Sequence, residues 1–160
     1  MSGVERTLVI GIGNTARGDD ALGVRLLERV RQHYPAVGTL EVFQLQIEHV
    51  LDLAGAACVL FCDAAIGLEE PCALHEARAE ASRLAFSHAM APEALLEVFV
   101  RTQGRPPPPA FVLALRADST ALGEGLSPAG EEALRCGWMI VRQLLSDPSP
   151  GAWRSRVRGG

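Results

Sequence analysis

The sequence predicts an α/β fold: a three-layer α/β/α sandwich, with a twisted, mostly parallel sheet and helices on both faces. Three observations lead there. Short continuous apolar runs, "TLVIGI" and "ACVLFC", are bounded by glycine or charge and read as buried strands. Segments with apolar residues at helical spacing lie between such runs. The 160 residues are 48% apolar and 21% charged, enough to build one soluble domain with a sizeable core. Aromatics make up only 5%, so that core rests on Leu, Val and Ala.

The elements follow in order. Thr7–Ile12 is the first strand, and Gly18-Asp19-Asp20 opens a helix with Asp19 as its N-cap. Gly23, Leu26, Leu27 and Val30 share one apolar face, and the helix should end near His33, ahead of Pro35. Leu40–Leu45 alternates as a second strand, Ile47–Leu53 suits a short helix, and residues 57–62 form a central strand that stops at Asp63. Residues 71–85 have a helical composition, yet a strand at 72–78 is equally readable. Residues 92–101 form a helix with Pro92 in its first turn. Pro106–Pro109 is a stiff connector into a strand over 110–115. Ser127 caps a final helix that carries Glu131 and Glu132 in its first turn and runs to about Leu145. The expected division is a single domain over 1–146 and a flexible basic tail over 147–160, with Pro148, Pro150 and three arginines.

A net charge of −4 argues against bulk binding to nucleic acid or to an anionic membrane surface. Met1–Thr7 is polar, so no export signal is expected. The longest apolar run, Leu53–Cys62, is too short to cross a bilayer. The expectation is a cytoplasmic monomer whose four cysteines, Cys58, Cys62, Cys72 and Cys136, are reduced thiols. None forms a CxxC pair, so a structural zinc site is not expected.

The stretch "GIGNTARGDDALGV" carries the chemistry. Gly11, Gly13 and Ala16 match a loose dinucleotide fingerprint, but "VFQLQ" lacks the acid expected after the second strand. A pyrophosphate would also meet Asp19 and Asp20 at the helix N-terminus, where an anion otherwise binds. One cap needs one carboxylate. Asp20 is therefore left either as a solvated surface acid or as part of a site. Asp63, at the end of a neighbouring strand, belongs to the same rim, where ligands of open α/β sheets gather. Of the histidines, His33 falls at a helix end and His49 inside a short helix, while His75-Glu76 lacks the second His of an HExxH helix. His88 lies in "FSHAMAPEALL", a loop before a helix. Two carboxylates and an imidazole can make a divalent-metal site with open positions; a surface role for His88 is the alternative. No GxSxG elbow is present, and Ser87 directly precedes His88, a poor placement for a nucleophile and its base.

"LVIGIGNTARGDDALGVRLLERV" resembles the N-terminal signature of the [NiFe]-hydrogenase maturation endopeptidases, an apolar strand followed by GxGN and D-[DE]-x-x-G-[VI]. "VLFCDAA" resembles that family's second acidic segment, "FSHAMAPEALL" its histidine segment, and "GEGLSP" a subgroup pattern before the last helix. The resemblance implies removal of a short C-terminal extension from the hydrogenase large-subunit precursor after nickel insertion. It also implies that Asp20, Asp63 and His88 contact nickel carried by the substrate, with Asp20 and Asp63 catalytic and Asp19 left to cap the helix. Many members have Glu at the Asp20 position and a glycine-rich stretch where this chain reads "FQLQIEHVLDL". This version is similar to the group serving bidirectional, NAD-reducing hydrogenases. Two rivals remain: a non-cleaving module that checks the large subunit for metal, and a peptidyl-tRNA hydrolase-like domain. The latter's GxGNP opening is broken here by Thr15.

Overall fold

A computed structural model describes residues 6–84 and 90–157, with Arg83 described by its backbone alone. Five strands form one sheet in the order β2-β1-β3-β5-β4. They are β1 (Thr7–Ile12), β2 (Gly38–Val42), β3 (Cys58–Ile66), β4 (Cys72–Ala77) and β5 (Ala110–Ala117). β1 pairs in parallel with β2 and with β3, and β3 pairs in parallel with β5; β4 alone runs antiparallel, along β5. The helices are α1 (Leu22–His33), α2 (Val50–Leu53), α3 (Pro92–Gln103), α4 (Pro128–Ser146) and α5 (Pro150–Arg154). This is the α/β architecture the sequence predicts.

The three layers follow from strand alternation. Cys58, Leu60 and Cys62 of β3 pack with Leu22, Leu26, Leu27 and Val30 of α1 and with Val141, Leu144 and Leu145 of α4. Val59 and Phe61 turn to the other face and meet Leu53 of α2 and Leu95, Leu96 and Phe99 of α3. By the same alternation Asp63 belongs to the α2/α3 face, opposite Cys62.

Four expectations are corrected. β3 does not stop at Asp63: β5 holds it in register as far as Ile66, which pairs with Ala117. The ambiguous segment after Pro71 is the edge strand β4. The cysteines are not all free. Cys72 on β4 is disulfide-bonded to Cys136 on α4, with Cα atoms 6.1 Å apart and 64 residues between them in sequence. Only the antiparallel edge strand, invisible to cysteine spacing, brings them together. Cys58 and Cys62 are free and buried. Burial pushes the Cys58 thiol up to about 12 and raises Cys62 further, so both are inert small hydrophobes.

The fourth correction concerns the expected flexible tail. Ser149 caps α5 by accepting a hydrogen bond from the Ala152 amide. Trp153 is fully buried, sits edge-on to Phe111 with ring centroids 5.4 Å apart, and donates from Nε1 to the Leu144 carbonyl at 2.9 Å. Arg154 Nε donates to Glu76 of β4 at 3.0 Å. Pro148 and Pro150 end one helix, and Pro150 starts the next. The chain from 150 to 157 is thus docked against the domain rather than loose.

Candidate functional site

The carboxyl ends of β1 and β3 are brought close by small residues. Gly23, in the first turn of α1, lies against the carbonyl oxygens of Cys62 and Ile12, and any side chain there would collide with both. Gly13, with φ +147°, lies against the Asp20 carbonyl in the same way. These two contacts are the physical reason for the glycine spacing of the motif. They fold the segment between β1 and α1 back on the strand ends instead of shaping a phosphate cradle. The Gly13 amide donates to Val42 at 3.0 Å, which fixes the turn to the end of β2 as well.

A 3-10 turn, Gly18–Ala21, then presents the two aspartates in opposite senses. Asp20 is partly exposed, and its Oδ2 accepts a hydrogen bond from the Asn14 amide at 2.8 Å. Asn14 in turn closes the loop, its Oδ1 accepting from the Ala16 amide at 2.9 Å. Asp20 is thereby aimed at the rim by its own local anchor.

Asp19 corrects the sequence reading. It does not cap α1, whose N-terminus has no side-chain cap. It is fully buried. Its Oδ2 accepts from the amides of Asp118 (2.8 Å) and Ser119 (3.2 Å) and from Ser127 Oγ (2.6 Å), while Oδ1 accepts from the Ser127 amide (2.7 Å). Gly130, in the first turn of α4, leaves room for the carboxylate where a Cβ would collide with it. The anion at a helix N-terminus is therefore real, but the helix is α4 and the anion is Asp19. Burial alone would raise the Asp19 pKa. The hydrogen bonds from Ser127, Asp118 and Ser119 outweigh it and hold the carboxyl below its ordinary value.

Asp63 is the contrast. Burial pushes its carboxyl up to about 7, the Ala64 amide lowers it only in part, and the charge of Asp20 raises it again. Two elements distant in sequence thus place two carboxylates within electrostatic reach of each other. A cation between them would relieve both the burial and the repulsion.

His88 lies outside the described residues. Among the described residues no group of three His, Cys, Asp or Glu side chains converges as a metal site. The other histidines have structural occupations. His33 Nδ1 is 3.0 Å from the Arg29 carbonyl and its ring rests 5.1 Å from that of Trp138. His49 Nδ1 accepts from the Gln46 amide at 2.9 Å, and His75 Nε2 sits 3.5 Å from Glu93. Asn14, Ser127 and the clamping role of Asp19 were not read from the sequence. The capping signal of Ser127 was legible, but its partnership with Asp19 spans 108 residues.

No protein-family model matches the chain. No curated protein matches it either. Solved structures do. The hydrogenase maturating endopeptidase HybD from Escherichia coli is 23% identical, aligns over 89% of this chain and 93% of its own, and gives a TM-score of 0.70. The [NiFe] hydrogenase maturation protease HycI from Thermococcus kodakarensis is 22% identical over 91% of this chain and 96% of its own, with a TM-score of 0.68. A hydrogenase 2 maturation peptidase from a thaumarchaeote is 23% identical over 88% and 97%, with a TM-score of 0.63. At these identities the likeness establishes a shared fold along nearly the whole chain.

Proposed function

We propose that this chain is an endopeptidase of hydrogenase maturation, which removes the C-terminal extension of a [NiFe]-hydrogenase large-subunit precursor after nickel insertion. The observation that carries this reading is the pair Asp20 and Asp63. Two elements bring these carboxylates to one rim, within a fold shared with several proteins named as maturation proteases. In this reading Asp20, Asp63 and His88 touch nickel that the substrate already holds. Two hard carboxylates and one imidazole leave open positions and do not make a closed four-ligand structural site.

The roles of the carboxylates follow from their surroundings. Asp20 accepts a single amide hydrogen bond and keeps a second oxygen for a cation. Asp63, poised near neutrality, can take a proton from an attacking water once Asp20 or a cation sets its charge state. Both serve hydrolysis of a peptide bond held at the rim. The subgroup serving bidirectional, NAD-reducing hydrogenases fits the segment after β2, which holds 3-10 turn and short helix in place of a glycine-rich stretch. The reading places the protein in the cytoplasm as a monomer. No helix among the described residues is long and apolar enough to cross a membrane.

The test is incubation of the protein with nickel-loaded precursor and weighing of the product by mass spectrometry. Loss of the extension supports the endopeptidase. Binding without loss of mass would leave the metal-checkpoint module instead. Nickel-free precursor should stay uncut, and the protein itself should purify without stoichiometric metal.

A further inference from the structure

We propose that Asp19 is a positioning residue, and that the loop it holds, residues 118–126, is the wall of the site that meets the precursor chain. This rests on the reading of Asp20 and Asp63 as the processing site.

The loop connects β5 to α4 and is fastened to the turn that carries Asp20. Besides the bonds into the Asp19 carboxylate, the Asp19 amide donates to Ser119 (2.8 Å), the Gly18 amide to Glu124 (3.1 Å), and the Gly123 amide to Ala16 (2.8 Å). Turn and loop therefore form one hydrogen-bonded layer over the strand ends, and Asp19 is its buried centre. What the layer shows outward is apolar. Leu122 is 68% exposed, and so is Ile66, which ends β3 opposite the residue from which the loop departs. Two large apolar side chains open to water beside a carboxylate pair suit a polypeptide lying across the rim better than a small polar ligand.

Asp20 keeps a separate anchor at Asn14, so loss of the Asp19 clamp should free the loop more than the catalytic carboxylate. The effect is then on substrate capture and not on the chemical step. A purely structural Asp19 would instead lower the melting temperature and leave the kinetics of the folded fraction alone.

The experiment is steady-state cleavage of nickel-loaded precursor by the wild type, Leu122→Glu, Ser127→Ala and Asp19→Asn, with amide hydrogen exchange over the loop. Leu122→Glu should raise KM by about tenfold or more with kcat changed less than about threefold, at an unchanged melting temperature. Asp19→Asn and Ser127→Ala should raise KM in the same sense, with faster exchange at residues 118–126. If Asp19→Asn does not fold, Ser127→Ala and Leu122→Glu decide. A wild-type KM in Leu122→Glu together with a wild-type KM in the clamp variants overturns the inference. A wild type that binds precursor without cutting it sinks the endopeptidase reading alone. The same variants are then compared by precursor Kd, with weakening supporting the loop's role and no change overturning it.

Discussion

Asp19 and Asp63 are two carboxylates drawn out of water at the same end of one sheet, and they come out opposite. Burial acts upward on both. Asp19 has donors on both oxygens from three residues and finishes below its ordinary value. Asp63 has an amide's help and a negative neighbour and finishes at about 7. What separates them is the supply of donors, not depth. A carboxylate whose lone pairs are filled by fixed donors is part of the frame. One left short of donors beside a like charge is available to a cation or a proton, the signature of a working group.

The sharpest way to break this contrast is by activity. Asp63→Asn and Asp20→Asn should each cut precursor processing by about a thousandfold or more, since the amide keeps the shape and loses the charge. Circular dichroism should be unchanged. Wild-type processing in either variant would remove that residue from the site.

Stability separates the frame from the site next. Trp153→Ala should cost about 3 kcal/mol or more, because a fully buried indole and its hydrogen bond to Leu144 are lost. That loss should be the same at pH 5 and pH 8, as no carboxylate is involved. An unfolding midpoint equal to wild type would mean α5 does not hold the domain together.

Asp19→Asn should cost less, about 2 kcal/mol, since the amide oxygen still accepts while its NH2 faces donors. Here pH matters. The folded pKa lies below the ordinary 3.8, so the charged clamp contributes fully above that value. The contribution should fade as pH drops through the depressed folded value. Wild type and Asp19→Asn should therefore converge in acid in denaturant titrations; a gap that stays constant down to pH 2 would show the clamp is not ionic.

Much of the fold was legible because it depends on local pattern. The runs at β1, β3 and β5, the amphipathic α1, and the Ser127 cap with Pro128 behind it all declared themselves within a few residues. Asp20 and Asp63 were legible as acids following strands. What escaped depends on distant pairing. The length of β3 is set by β5, the disulfide by the antiparallel placement of β4, and the burial of Trp153 by Phe111. Asp19 was misplaced for the same reason. An aspartate before a helix looks like that helix's cap, and nothing near it in sequence shows that its donors come from residues 118–127.

The smallest expected effect has the sign opposite to that of Asp19 and tests the contrast most finely. Asp63 binds its proton more tightly folded than unfolded, with a folded value of about 7 against an ordinary 3.8. Between those values the native state carries the extra proton, so stability falls as pH rises through the interval and stays low above it. The charged Asp63 is thus a standing cost at neutral pH, of the order of 1 kcal/mol once relaxation and partial solvation are allowed for. Asp63→Asn should remove that cost. The variant should melt a few degrees above wild type at pH 8, and the two should coincide near pH 4. A site that costs stability and loses activity when that cost is relieved is the behaviour of a functional carboxylate. If Asp63→Asn is less stable than wild type at pH 8, Asp63 is a satisfied structural acid like Asp19, and the division between the two aspartates fails.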